Sequence, residues 1–200
     1  QLMRMTFGRR PMAGPSVTVI ILRGTAVCRS GLGDRTRPGG QTETTVRPMS
    51  DEAESQKVVM EWETPTHAEI IEITKAHIMG MEASDDDAVW CVVGMHHVLL
   101  HTVGRRSGNE HKVALPFWRD ANGHRIVVGS FAGATNDPAW VLNLRDREAN
   151  PRVKVRVQGG MFWSEHEVLD AGPTRDALWA ALVEDRAFYA DYQAKTERVI

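Results

Sequence analysis

Apolar and polar positions change rhythm along the chain, and each change predicts a different element. Ile70, Ile71, Ile73, Ile78 and Met81 form an imperfect helical stripe behind Thr64-Pro65. Thr64 suits an N-cap, and Pro65 suits the first helical position because its missing N–H has no intrahelical acceptor there. The run Ser84-Asp85-Asp86-Asp87 ends this helix, whose polar side is acidic (Glu61, Glu63, Glu69, Glu72) with Lys75 as its base. From residue 89 to 171 the texture becomes that of strands. An apolar run over 98–103 ends in a polar turn over 104–108, and a second run follows over 113–118. Asn122-Gly123 then predicts a hairpin into 125–130, because both residues tolerate positive φ. Asp137-Pro138 predicts a short helix through Arg147 with Asp137 as N-cap, ended by Asn150-Pro151. Val153, Val155 and Val157 alternate as a half-buried strand, and Gly159-Gly160 turns into another over 161–169. Gly172-Pro173 introduces a helical C-terminal part with Leu178, Trp179, Leu182 and Val183, then a second segment near Tyr189.

This order predicts an α+β fold: five or six hairpin-linked, mostly antiparallel strands that close into a small barrel, with an N-terminal helix and C-terminal helices. There is no G-x-G-x-x-G after a strand and no Walker lysine, which argues against the parallel nucleotide-binding folds. With 200 residues and 22.3 kDa the chain holds one full-sized core. Its 25% charged and 42% hydrophobic content excludes a wholly disordered or collagen-like chain. No apolar stretch is long enough to span a membrane, and two cysteines make neither a disulfide framework nor a four-thiolate zinc site.

Charge divides the chain near Met49. Residues 1–48 hold eight Arg, no Lys and two acids, a net of +6, and residues 49–200 carry a net of −8, which together give the chain's −2. The first segment is rich in Gly-Pro turns and has one short apolar run, 17–22, so it is expected to be largely disordered or a non-native extension, with 49–200 as the single domain. With one aromatic (Phe7) and no Lys it makes a poor nucleic-acid arm, and its apolar run is too short for a signal peptide. No nucleic-acid partner is expected.

Among chemical candidates, His97 and His101 sit four apart beside His96, but on a strand that spacing is about 13 Å, too far for one ion. They are read as partly exposed neighbours on one strand face, and no metal is expected. No G-x-S-x-G is present. The turn Gly104-Arg105-Arg106-Ser107-Gly108, followed by His111 and Lys112, concentrates cations and donors in an otherwise acidic body. It reads either as an anion-binding loop or as a solvated hairpin tip. Ser130-Phe131-Ala132-Gly133 before Trp140 allows close backbone approach by a flat ligand, or is an ordinary strand-to-helix connection. Tyr189 and Tyr192, the only tyrosines, share a helix face as core edges or as a wall for a flat substrate.

In order and spacing, Leu100-His101-Thr102-Val103-Gly104-Arg105-Arg106-Ser107-Gly108, Val127-Val128-Gly129-Ser130, Pro138-Ala139-Trp140 with Asn143-Leu144, Ala149-Asn150-Pro151 and Tyr189-Ala190-Asp191-Tyr192-Gln193 resemble the deazaflavin-dependent nitroreductases. These bind coenzyme F420 on an FMN-binding split barrel-like fold. The resemblance covers roughly residues 97–200, weakens over 62–96 and is absent over 1–48.

It implies a split β-barrel and F420 as cofactor. Gly104, Arg105, Arg106, Ser107 and Gly108 would hold the phosphate, and His111 or Lys112 the acidic tail. Ser130, Phe131, Ala132, Gly133 and Trp140 would line the ring. Ser130, Tyr189 and Tyr192 would orient or protonate the acceptor. A third tyrosine position of the family's substrate wall is Arg186 here. Similar proteins continue past Ile200 into a proline and a last apolar strand, so the resemblance also implies an unpaired edge in this chain.

The implied activity is hydride transfer from reduced F420 to a quinone or nitro compound. FMN chemistry on the same barrel, or F420 binding without turnover, are the alternatives. Cytoplasmic placement is expected, with weak peripheral membrane association and a homodimer left open.

Overall fold

The computed structural model describes residues 18–23 and 56–200. Eight strands form one curled antiparallel sheet: β1 (Val19–Arg23), β2 (Cys91–Val92), β3 (Met95–Val103), β4 (Glu110–Pro116), β5 (Trp118–Arg119), β6 (Arg125–Val128), β7 (Val153–Val157) and β8 (Gly160–Leu169). The order is β2-β3-β7-β8-β1-β6-β5, with β4 on β3. Five helices flank it: α1 (His67–Ala83), α2 (Asp87–Trp90), α3 (Ala139–Arg145), α4 (Pro173–Asp185) and α5 (Phe188–Ala194). Every pairing is antiparallel, from His97 opposite Pro116 and Thr102 opposite His111 in the β3–β4 hairpin to Val155 opposite Phe162 in β7–β8. The expected α+β, mostly antiparallel architecture is therefore present, as a half-barrel whose strand path stays open.

One expectation fails at the sheet's centre. Residues 18–23 belong to the segment 1–48 expected to be largely disordered, yet β1 lies between β8 and β6 and pairs with both. Val19, Ile20, Ile21 and Leu22 are all at most 4% exposed. Val19 and Ile21 face one core, with Trp118, Ile126, Leu182, Phe188 and Ile200. Ile20 and Leu22 face the other, with Val98, Leu100, Val127, Val141 and Val155. A strand buried on both faces reads as a continuous apolar run, without the alternation that marks a half-buried one. The rest of 1–48 lies outside the described residues.

Two helix starts also move. α1 begins two residues later than expected because Thr66 and Glu69 form a reciprocal capping box, satisfying two backbone donors where Thr64 would satisfy one. α3 has Pro138 at its N-cap and no side-chain cap bond. Asp137 instead receives Arg145, and Arg198 at 3.1 Å. The acidic break after α1 holds an element of its own, since Asp86 caps the one-turn α2.

Candidate functional site

The hairpin tip is anchored by two buried carboxamides. Asn150 accepts from the Val103 N–H at 2.7 Å and donates to the Val103 carbonyl at 2.9 Å, so it occupies the place of a missing strand partner at the end of β3. Asn143, on α3, accepts from both the backbone N–H and the Nη1 of Arg105 at 3.3 Å, and donates to Thr102 Oγ1 at 3.2 Å. Gly104 lies close beneath two side chains, since a Cβ there would lie 2.6 Å from His111 Nε2 and from Ser107 Oγ, both exposed groups that can turn aside. The two carboxamides give the loop 104–108 a fixed shape, with Arg105 tied to α3. Arg106 is exposed and makes no ion pair among the described residues.

Behind the tip lies a cavity of about 570 Å³ under α1. His111, Lys112, Ser130, Phe131, Ala132, Trp140, Tyr189 and Tyr192 all line it, so most of the expected site residues meet in one place. Gly104, Arg105, Arg106, Ser107, Gly108 and Gly133 are not among its lining residues; Arg105 is linked to it through Asn143, and Gly133 packs against Tyr192. Lys112 is less available than its position suggested. It pairs with Glu82 of α1, and Glu110 stands 4.0 Å away, so each side chain stabilises the charge of the other.

The segment after β6 is strained. Phe131 (φ 43°), Ala132 (φ 53°) and Gly133 (φ 83°) turn consecutively through the left-handed region, which a bulky residue such as Phe enters at a cost. The surroundings hold it there. Arg198 donates to the carbonyls of Ser130 at 2.7 Å and Ala134 at 2.5 Å, and the Phe131 ring stacks on His67 at 4.9 Å. The result is a backbone bulge of small residues presented to the cavity, with Ala132 among its lining.

Aromatic groups make the far wall. Tyr189 and Tyr192 meet edge-on at 6.0 Å, with Phe188 packed against both. Burial raises both phenols above the ordinary range. The Tyr192 hydroxyl is engaged with Met60 Sδ at 3.7 Å, and a hydrogen bond with Thr64 opposes the effect of its burial.

The sequence did not disclose His77 and His97 as a pair. Both line the cavity, with rings 4.7 Å apart. His97 is buried, not partly exposed, because α1 covers the odd-numbered face of β3. Its Nδ1 bonds the Met95 carbonyl at 2.8 Å and His77 Nε2 bonds the Val89 carbonyl at 2.7 Å. Each ring thus donates from that nitrogen. His101 lies four residues along β3 on Glu110, at 3.0 Å. Among the described residues no three His, Cys, Asp or Glu groups converge to hold a metal.

Burial, with His77 close by, pushes His97 down to about 4 from 6.5. The folded chain therefore resists a proton that the unfolded chain accepts. This contribution to stability is intact above pH 6.5, shrinks as pH falls, and is lost at about pH 4, a change on the order of 3 kcal/mol. His97→Leu should flatten the fall of Tm between those limits. An unchanged slope would place the acid sensitivity in His101 or His166, which burial also lowers.

Comparison with known proteins adds to this geometry. Residues 75–200 match the family model described as F420H(2)-dependent quinone reductase. F420H(2)-dependent quinone reductases from two strains of Mycobacterium tuberculosis are 31% identical over 105 residues, covering 52% of this chain and 68% of each relative. A solved F420-H2 dependent reductase (FDR-A) is 32% identical and superposes with a TM-score of 0.39, covering 52% of this chain and 88% of that one. No helix of the described residues is long and apolar enough to cross a membrane.

Proposed function

The chain belongs to the F420H(2)-dependent quinone reductase family, and from that membership we propose that it reduces a quinone with reduced coenzyme F420 in the cavity beneath α1. The single observation that carries this reading is the polarity of the cavity along the β3–β4 hairpin. The cationic tip follows the Thr102–His111 pair, and the phenolic wall is tied to the His97–Pro116 end by Arg186, which bonds the Phe117 carbonyl and interacts with both Tyr189 and His97. Five residues of strand separate them, about 17 Å. A cofactor with a flat ring at one end and a negatively charged tail at the other fits that gradient.

Bound, reduced F420 would supply two electrons and a proton as hydride. The chain's own residues do the rest. Arg106, and Arg105 held on Asn143, would take the phosphate, with His111 beside them. Ser130 and the bulge at Ala132 would bear on the ring. α1 and the aromatic wall exclude bulk water from a flat acceptor and fix its distance from the donor. Tyr189, which lines the cavity and whose phenol interacts with the Arg186 cation, would meet charge developing on acceptor oxygen.

The test is titration of the full chain with F420 and with FMN side by side. Saturable binding is expected for F420, and Arg105→Ala with Arg106→Ala should weaken it by about 100-fold, the loss of two charge-assisted contacts. Tm should move little, because Arg106 is exposed and the Arg105 backbone N–H keeps its bond to Asn143 when the side chain is removed. Unchanged affinity in the double variant, or tighter binding of FMN, would overturn the assignment. The reading extends to lipid-borne quinones met at a membrane surface and to a homodimer as the working assembly. Vesicle flotation and sedimentation equilibrium test those two parts.

A further inference from the structure

Arg186 follows α4 directly and is 2% exposed. Its Nη2 donates to the Phe117 carbonyl at 2.8 Å, whereas Nε and Nη1 are buried with no hydrogen bond of good geometry, the Tyr189 hydroxyl being the polar group within looser reach. No carboxylate forms an ion pair with it among the described residues. Asp185, its chain neighbour, favours the cation, but that carboxylate also receives Trp118 Nε1 at 2.7 Å. A guanidinium held this way is destabilising unless something else compensates it, because its desolvation is not returned by a partner of opposite charge.

Arg186 adjoins the aromatic wall of the cavity through the backbone, where the Tyr189 N–H donates to the Arg186 carbonyl at 3.1 Å. Tyr189, three residues on, is 3% exposed and lines the cavity. The Tyr189 phenol is the group that most favours the Arg186 cation, and the cation in turn draws down a phenol that burial raises. Tyr192 works against it, as a second phenol whose negative form would repel the first. On the other side, the Arg186 charge reaches His97 and helps keep that ring neutral. Arg186, Asp185, Tyr192 and His97 are thus the charged and titratable groups around Tyr189 and its cation.

We propose that Arg186 is a positioning residue for reduction: from behind the wall it holds Tyr189 as the proton source and stabilises the phenolate left behind, so that the site favours acceptors whose reduction puts negative charge on oxygen. This rests on the quinone-reductase reading. Hydride reaching a quinone brings two electrons and one proton and leaves a hydroquinone monoanion, while the reductant, reduced F420, is oxidised by two electrons. The Tyr189 O–H bond then breaks and its proton forms the second O–H of the neutral hydroquinone. The electron pair stays on the Tyr189 oxygen, beside the guanidinium, until water returns a proton.

The chain has two tyrosines, so Tyr192→Phe leaves one phenol to observe. Titrating the tyrosinate absorbance of that full-length chain, without cofactor and with near-UV circular dichroism as a check on folding, should give a midpoint that rises by a pH unit or more in Arg186→Met and by less in Arg186→Lys. In turnover, Arg186→Met should lower kcat for quinone about 100-fold with the KM for reduced F420 unchanged. Arg186→Lys should recover part of it, and adding Arg186→Met to Tyr189→Phe should cost nothing further. A midpoint that does not move, a retained kcat, or losses that multiply in the double variant would each overturn the proposal. If Arg186→Met fails to fold, Arg186→Lys carries the same comparison. A wild-type chain that oxidises reduced F420 with no quinone overturns the functional reading and the role in reduction together. A displaced midpoint in that event would locate the failure in the acceptor, not in the Arg186–Tyr189 pair.

Discussion

A chain that begins at Met49 is expected not to reach the native state. Removing residues 1–48 removes β1, and with it Val19, Ile20, Ile21 and Leu22, none more than 4% exposed. Full burial of such a side chain contributes about 1.5–3 kcal/mol, so four contribute about 6–12 kcal/mol. The whole stability of a domain is about 5–15 kcal/mol, and the deletion consumes most or all of it. Hydrogen bonding adds to the loss. β6 and β8 each face β1, and without it both expose unpaired backbone groups inside a sheet. The shortened chain should show no cooperative thermal transition, weak near-UV circular dichroism and strong binding of an apolar dye. Ile20→Asp in the full chain should have a similar outcome by burying one unpaired charge between Val98 and Val127. A cooperative melt of residues 49–200 with native near-UV bands would show that β1 is dispensable.

The same strand shows what the sequence conceals. A run of six apolar or small residues inside a basic, glycine-rich segment gives no periodic signal, and the composition around it points away from structure. What gives the run its place is a sheet built from residues more than 100 positions away, such as Val128 and Leu169 opposite Val19. The β3–β4 and β7–β8 hairpins were legible for the opposite reason. Their partners are close in sequence, their turns carry glycine, and the alternation of Val153, Val155 and Val157 follows directly from one buried face.

The site divides along similar lines. Segments that share a short motif were legible as local shapes: the turn after β3, the connection at 130–133 and the pair on α5. Residues that meet only through packing were not. His97 faces His77 because α1 lies across β3, and the stretch of chain between the two histidines carries no motif that reports that crossing. Asn143 and Asn150 stood out in the sequence as part of a pattern, without a reason. Their bonds to Arg105 and Val103 supply it, since an exposed hairpin tip needs buried amides beneath it to hold a shape. Arg186 was visible as a departure from the resembled pattern, and its burial without a carboxylate partner gives that departure chemical content.

Gly133→Ala is expected to damage both fold and activity, and by one cause. The added Cβ would lie 2.5 Å from the Tyr192 carbonyl oxygen and 2.9 Å from Lys195 Cβ. Neither neighbour is a flexible tip that can swing aside. The backbone adds its own penalty, since at φ 83° an alanine costs about 1–2 kcal/mol more than glycine. Clash and strain together predict a loss of about 3–5 kcal/mol. The segment has little freedom to relax, because Arg198 already holds the carbonyls of Ser130 and Ala134. Relief must come from α5, whose displacement carries Tyr189 and Tyr192 away from the bulge at Ala132. A displacement of about 1 Å at a reacting distance is enough to lower a rate about 100-fold. Quinone reduction should therefore fall more steeply than F420 affinity, whose cationic contacts lie at the far end of the hairpin. Equilibrium unfolding, F420 titration and steady-state turnover on one preparation separate these effects. A variant that melts like the wild type, or that loses F420 affinity as steeply as turnover, would show that the bulge does not set the position of the aromatic wall.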